Sequence, residues 1–382
     1  MNSKVLFFLS PHNYYDHKLK KSNNRPLKLA DQFALDEVFT EIYIVNRIKP
    51  RLQKFENDSR KIIKKGVGYK IYQCNEFKNT KYIEHNFPFG YLEDFFVPMI
   101  IKSTLRKISY KDITVLVADP KSAGILRSNL GCGVFDAYDD WLMNKMYQKN
   151  RHYKALEKGY KTAKEFSDIM ICNTDILMER FYNEKKTVLI SNTSSIECSN
   201  TYLNQNNKVK KVGYIGNIYD RIDFDLFKDI VKTMKNLDFI IIGKYIGPED
   251  NEKKKFENLT YENNVTYIPG VPYEQVSEEI AKFDVCIIPH QINEFTLTQD
   301  SMKMYDFLSI GKPVVTTAVP PSNLLSEYLY IAEGYKEFVE KINMALVEDE
   351  DLQLKRINYI NENNWSSKTK QLYALLNEVK AQ

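Results

Sequence analysis

The chain has 382 residues, 43% of them hydrophobic and 27% charged, which is too long for one ordinary core and apolar enough to fill two. It holds no low-complexity tract and no run of about 18 apolar residues, which excludes a disordered chain and predicts no transmembrane helix. The net charge of +4 conceals an asymmetry: residues 1–190 carry 33 Lys and Arg against 22 Asp and Glu, a surplus of +11, and the remainder carries 21 against 28, a deficit of −7. A basic first half suits nucleic acid, an anionic membrane surface or a phosphorylated acceptor. Five cysteines, Cys74, Cys132, Cys172, Cys198 and Cys286, stand without CxxC spacing, the pattern of reduced cytoplasmic thiols rather than a disulfide framework or a zinc site.

In chain order, the apolar run of "MNSKVLFFLS" continues into "PHNYYDHK" without a small-residue cleavage site. It reads as a first buried strand (4–10) rather than a signal peptide. Further strands of one parallel sheet are predicted at 41–47, 113–119, 133–139, 168–174 and 187–193, with helices at 26–38, 92–107, 121–129, about 145–166 and 175–183. Residues 194–208, "SSIECSNTYLNQNNK", are polar, Asn-rich and aperiodic, and read as a linker. A second series follows, with strands at 211–217, 238–244, 264–270, 284–290 and 312–317 and helices at 222–236, 273–282, 301–310 and 335–347. The tail from 350 to 380 reads as two helices broken at "NNW", 363–365. This predicts an α/β chain of two Rossmann-like, doubly wound domains facing a central cleft: an acceptor domain at 1–193, a linker at 194–208, a nucleotide domain at 209–349, and C-terminal helices at 350–382 returning to the first domain. In such sheets ligands sit at the carboxyl ends of the strands.

The stretch "QDSMKMYDFLSIGKPVV", 299–315, concentrates the chemistry. A helix starting at Asp300 or Ser301 offers free backbone N–H groups and a positive dipole end to an anion. Lys303 in its first turn opposes that dipole, so helix stability alone does not call for it. Asp300 and Ser301 are also ordinary N-caps, and Asp306 is placed one turn on to accept bonds from sugar hydroxyls. Gly213 and Gly216 allow close backbone approach to a diphosphate, or a tight turn. Arg221 is a second phosphate contact or a partner of Asp223, and His290 stands at a strand end beside the nucleotide. Pro272 and Tyr273, in "IPGVPYEQ", stand where a base would be held. In the first domain Asp136, Asp139 and Asp140 cluster after a strand. Either one is a general base, Asp139 before Asp140, with its pKa raised by its neighbours, or they cap the following helix. Lys18, Lys20, Lys21, Arg25 and Lys28 gather near the mouth of the first domain, and the apolar-basic stretch 91–111 suits an anionic membrane as well as a sheet.

The segment "FDVCIIPHQINEFT…DSMKMYDFLSIGKPVV" resembles the carboxy-terminal signature of GT-B glycosyltransferases. "NRPLKLADQFA" (24–34) resembles their first acceptor-domain helix, "VFDAYDDW" (134–141) the YDxxDDW element of polysaccharide-assembling members, and "GYIGN" (213–217) the glycine loop opening the nucleotide domain. Asp300-Ser301-Met302-Lys303 is similar to the xanthan-type membrane-associated glucuronosyltransferase. The resemblance implies donor contacts by Gly213, Gly216, Asn217, Arg221, Pro272, Tyr273, His290, Asp300, Ser301, Met302, Lys303 and Asp306, catalysis by Asp139 or Asp140, and acceptor contacts by His12, Arg25 and Asp119. Thr298 and Asp306 occupy the positions of the Glu-x7-Glu pair of retaining members, which points to inversion. It implies a UDP-sugar as donor and a membrane-linked glycan as acceptor, in the assembly of a bacterial capsule or exopolysaccharide on the inner face of the plasma membrane. No metal or cofactor is expected, because no DxD is placed for manganese and the basic seat stabilises the leaving diphosphate. A UDP-sugar 2-epimerase of the same fold and a non-enzymatic polyanion binder are the alternative readings. The second is opposed by the acidic second half and the lack of aromatic-basic interleaving.

Overall fold

A computed structural model describes residues 4–14, 17, 23–47, 61–87, 91–105, 108–144, 152–198, 209–219 and 221–381. The chain folds as two compact units, Met1–Ser191 with Trp365–Gln382, and Asn192–Asn364.

The first unit runs β1 (Val5–Leu9), α1 (Arg25–Leu35), β2 (Glu41–Arg47), β3 (Ile62–Gly66), β4 (Tyr69–Gln73), β5 (Thr80–His85), α2 (Tyr91–Thr104), β6 (Ile113–Val117), a 3-10 helix (Pro120–Ser128), β7 (Cys132–Ala137), α3 (Tyr153–Phe166), β8 (Ile169–Cys172), α4 (Asp175–Arg180) and β9 (Thr187–Leu189). The strands form one sheet in the order β3-β4-β5-β2-β1-β6-β7-β8-β9. All its pairings are parallel except those of β4 with β3 and β5. Every residue of β1, β6, β7 and β8 is buried, as expected for strands with helices on both faces. That explains why they are legible as continuous apolar runs. In α1, Asn24 accepts from the Leu27 amide at 3.2 Å and Pro26 lies in the first turn, two start signals that agree.

The second unit runs β10 (Lys211–Ile215), α5 (Phe224–Thr233), β11 (Asp238–Ile242), α6 (Asn251–Thr260), β12 (Val265–Ile268), α7 (Val276–Ala281), β13 (Val285–Ile288), α8 (Met302–Ser309), β14 (Val314–Thr317), β15 (Tyr330–Ala332), α9 (Tyr335–Ala345) and α10 (Glu350–Glu362). Its six strands are parallel, in the order β12-β11-β10-β13-β14-β15. That is the doubly wound 3-2-1-4-5-6 arrangement, which places its switch point between β10 and β13.

The tail divides between the units. Its first helix, α10, packs on α8, burying Ile357, Ile360 and Arg356, the last paired with buried Glu348. The second, α11 (Trp365–Ala381), packs on α1 in the first unit. Lys368 Nζ donates to Ser191 Oγ there at 3.1 Å. Of the expected linker, 199–208 lie outside the described residues, as do Lys18, Lys20, Lys21, Arg106, Lys107 and 145–151. Residues 194–198 belong to the second unit, where Ile196 and Cys198 pack against its core. Strands β3, β4, β5 and β15 and helix α6 were not expected. Five of the twelve residues 62–73 in the β3–β4 segment are lysine or glycine, and it carries no continuous apolar run. Among the described residues the five cysteines are free thiols, and no helix is long and apolar enough to cross a membrane.

Candidate active site

In the second unit, the carboxyl ends of β10 and β13 and the start of α8 meet at the switch point. Ser301 is the N-cap of α8 in extended conformation, with no side-chain capping bond, and Lys303 stands two residues in. Gly311, at φ +75°, ends the helix, supplying the left-handed residue that a helix terminus favours. The start of α8 therefore keeps open N–H groups. Lys303 turns toward β10: its Nζ donates to Tyr214 Oη at 2.6 Å and lies 4.2 Å from the ring centroid. A Cβ at Gly216 (φ +140°) would stand 2.9 Å from that Nζ. Gly216 is thus the close-approach glycine of this site.

Lys303 has its pKa lowered to about 7, first by burial, then by the Arg221 cation, with Asp306 opposing. His290, buried directly after β13, is depressed by burial and by the charges of Lys303 and Arg221, so its imidazole is neutral at neutral pH. Its Nε2 has no hydrogen-bond partner among the described residues. Its ring lies 6.3 Å from Tyr214. Arg221 is exposed, over Phe295 at 5.8 Å, and its carbonyl accepts from the Gln291 amide. Lys303 thus stands against Gly216, with the Arg221 cation and a neutral histidine close enough to act on it electrostatically, a field suited to an anion.

The acidic residues of the stretch are tied to the unit's first segment. Asp300 Oδ2 accepts from the Asn192 amide at 2.5 Å, and Asn192 Nδ2 donates to the Asp300 carbonyl at 2.9 Å. Asp306 Oδ1 accepts from Ser194 Oγ at 2.6 Å. Asp306 and Ser195 both bear on Tyr273, whose hydroxyl pKa is raised chiefly by burial and then by Asp306. Asp300, Asp306 and Tyr273 therefore brace α8 against residues 192–195. Pro272 and Asn217 are exposed, and Met302 is half-buried at the first position of α8. Gly213 is a packing glycine: a Cβ there would lie 2.1 Å from the Phe283 ring. Sequence reading missed Tyr214, Asn192, Ser194 and Gly243, whose Cβ would stand 1.8 Å from the Gly216 carbonyl. Only the glycines of "GYIGN" hinted at the first, and the others act across long sequence separations.

In the first unit His12 follows β1, Asp119 follows β6, and Asp139 and Asp140 follow β7, three neighbouring parallel strands. They share one carboxyl edge. Asp140 is fully buried: its Oδ2 pairs with Arg180 Nε at 2.5 Å and its Oδ1 accepts from the Leu142 amide at 3.0 Å. Burial raises its pKa and Arg180 opposes the rise. Asp139 is half-buried, and its carbonyl accepts from Tyr160 Oη at 2.8 Å. The carboxylates of Asp119 and Asp139 add to burial in raising the Tyr138 and Tyr160 hydroxyls, which places the two acids in one field. Asp119 accepts from the Lys121 amide at 3.0 Å as the N-cap of the 3-10 helix. Arg25 is buried against Asp136, its Nε 3.1 Å from both carboxylate oxygens. Those two residues form a core ion pair beneath the edge, and His12 is half-buried with its amide on Ser10 Oγ.

Residues 209–348 match the family model described as "Glycosyl transferases group 1". A Bacillus subtilis (strain 168) protein assigned by name to teichuronic acid biosynthesis, the glycosyltransferase TuaH, is 26% identical over 121 residues. That match takes in 31% of this chain and spans 30% of the length of the relative. Among solved structures, the E. coli trehalose-6-phosphate structure bound with UDP-2-fluoro glucose superposes with a TM-score of 0.65 at 9% identity, over 99% of both chains. Sucrose-phosphate synthase from Thermosynechococcus elongatus gives 0.65 at 13% identity, again over 99% of both. A trehalose-6-phosphate synthase studied for glycosyl transfer with retention gives 0.63 at 10% identity, over 98% of this chain and 99% of the other. The chain accordingly has the two-domain α/β fold of GT-B glycosyltransferases, and its residues 209–348 match the glycosyl transferases group 1 model.

Proposed function

We propose that the chain transfers a sugar from a UDP-sugar to a membrane-linked glycan acceptor during assembly of a bacterial cell-surface polysaccharide, with inversion and without a metal. The observation that carries this reading is the cationic seat: Lys303, Arg221 and the open start of α8 around Gly216, at the switch point of a doubly wound sheet. The diphosphate of the donor would lie there, its developing charge met by the two cations and the backbone N–H groups of α8. His290, neutral and buried, is suited to donate its unused ring N–H to the donor. In the transfer step the acceptor oxygen bonds to the anomeric carbon, the bond to the diphosphate breaks, and the bonding pair leaves with UDP. The hydroxyl proton passes to Asp139, the more accessible of the two acids after β7. The 26% identity over 121 residues with a protein named for teichuronic acid biosynthesis supports a surface glycan as acceptor, and the +11 surplus of the first 190 residues supports an anionic, membrane-associated one.

The test is transfer from UDP-glucose, UDP-glucuronate and UDP-N-acetylhexosamines to lipid-pyrophosphate saccharides, with the product anomer assigned by NMR. Formation of a product of opposite configuration supports the reading. Retained configuration, as studied in the trehalose-6-phosphate synthase of the same fold, would overturn inversion and release Asp139 from its role. A free epimerised sugar with no acceptor consumed would assign the site to a 2-epimerase.

A further inference from the structure

The first unit exposes a group of apolar side chains on one helix that its own core does not use. On α2, Leu92, Phe95 and Met99 are 42%, 51% and 52% exposed, and Lys102 continues the same stripe. The spacing of 3, 4 and 3 residues keeps all four on one helix face. The opposite face, with Val97, Ile100 and Ile101, is buried in the core. A solvated helix has no reason to carry three large apolar side chains outward. The β3–β4 hairpin adds to this surface. Val67 at its turn is 94% exposed, and Ile62 and Ile63 are about half exposed, at 48% and 47%.

These pieces are continuous. A Cβ at Gly68 would lie 2.8 Å from Phe87, the Phe87 ring stacks on Phe96 at 4.6 Å, and Phe96 meets Phe95 edge-on at 5.2 Å. At the far end of α2, Lys64 Nζ donates to Ser103 Oγ at 3.3 Å. The charge of the region has one sign at the surface. Lys61, Lys64, Lys65, Lys70 and Lys102 belong to these two elements, whereas Glu93 is buried on Ser122 and Asp94 is packed against Gly124. Lysines alone would serve to guard an edge strand from pairing. Lysines flanking exposed Leu, Phe, Met and Val instead make the amphipathic composition that enters a headgroup layer, with aliphatic stems following the apolar side chains inward.

The topology places one end of this surface at the functional edge. Strand β4 is antiparallel to β5, with Tyr69 opposite His85, the last residue of β5. The hairpin turn and the start of α2 therefore lie at the carboxyl ends of the parallel strands, the edge that carries His12, Asp119 and Asp139. We propose that the β3–β4 hairpin and the outer face of α2 are one docking surface for an anionic lipid bilayer, set to bring a lipid-linked acceptor to that edge. The proposal rests on the membrane-linked acceptor inferred above and adds which residues meet the lipid.

The experiment is flotation of the full chain with phosphatidylcholine vesicles, with and without about a third phosphatidylglycerol. Binding is expected with the anionic lipid and is expected to weaken in 0.5 M salt. The exposed triple variant Leu92→Ser/Phe95→Ser/Met99→Ser should lose at least about tenfold in affinity. Lys61→Glu/Lys65→Glu should lose at least about fivefold for each lysine. UDP-sugar binding, titrated in parallel, should be unchanged in both variants, which also shows that they fold. Equal flotation with neutral and anionic vesicles, or unchanged flotation of both variants, would overturn the proposal. So would concentration-dependent dimerisation in lipid-free solution that the triple variant abolishes, because the patch would then belong to a second copy. If wild type floats but binds no nucleotide, the glycosyltransferase reading fails and the docking surface stands. If it binds nucleotide and does not float, the reverse holds.

Discussion

At the scale of single residues the two halves of the proposed chemistry rest on side chains whose surroundings differ sharply. Lys303 is charged below about pH 7 and neutral above it, because burial and the nearby Arg221 both disfavour its cation. A diphosphate adds the missing counter-charge, so donor binding should draw a proton onto Lys303, and affinity should fall as pH rises through 7. A sugar nucleotide is the right probe, since its diphosphate does not titrate in that range. Of the two acids after β7, Asp140 is fully buried and committed to Arg180 and the Leu142 amide, whereas Asp139 is only partly buried. We expect Asp139→Asn to lower turnover by about a hundredfold or more with donor binding and melting temperature unchanged. Asp140→Ala should instead cost stability. Breaking a buried pair costs several kcal/mol, and Arg180, about one-third exposed, reduces that to ~2 kcal/mol. Chemical denaturation and steady-state kinetics on the two variants separate the roles. Equal turnover of Asp139→Asn and wild type would remove it as the base.

At the scale of elements, the site depends on how closely β10, β13 and α8 approach. Gly213 faces Phe283 with no room for a methyl group, so Gly213→Ala should destabilise the second unit by about 1–3 kcal/mol through overpacking. Adding Phe283→Leu should recover part of that loss in a denaturant melt, and no recovery would mean that the backbone, not the ring, sets the limit. The strands around the site were legible because fully buried parallel strands read as continuous apolar runs, and Lys303 because a cation in a helix's first turn opposes the dipole. Tyr214 was not legible, since its hydroxyl matters only once β10 and α8 are adjacent. The bonds of Asn192 to Asp300 and of Ser194 to Asp306 span more than a hundred residues, and no local pattern announces them. Arg25 read as an acceptor contact because its charge was visible, whereas its burial against Asp136 was not. The β3–β4 hairpin escaped because its lysines interrupt the alternation that marks a strand, and that same composition makes it a candidate lipid surface.

At the scale of the whole molecule, two doubly wound units divide the labour. The first carries the basic surplus, the acids of its carboxyl edge and the exposed apolar stripe; the second carries the cationic seat and the matched glycosyltransferase domain. The proposed activity requires that seat to hold a nucleoside diphosphate. Calorimetric titration of wild type and Lys303→Ala with UDP-sugars and GDP-sugars, at about pH 6 and pH 8.5, tests it most directly. Wild type is expected to bind a UDP-sugar in the micromolar range, more tightly at the lower pH. Lys303→Ala is expected to lose about thirtyfold, or ~2 kcal/mol for a hydrogen bond to a charged group, with the pH dependence flattened. Binding that is equal in wild type and Lys303→Ala at both pH values, or no binding of any nucleotide sugar, would contradict the proposed activity.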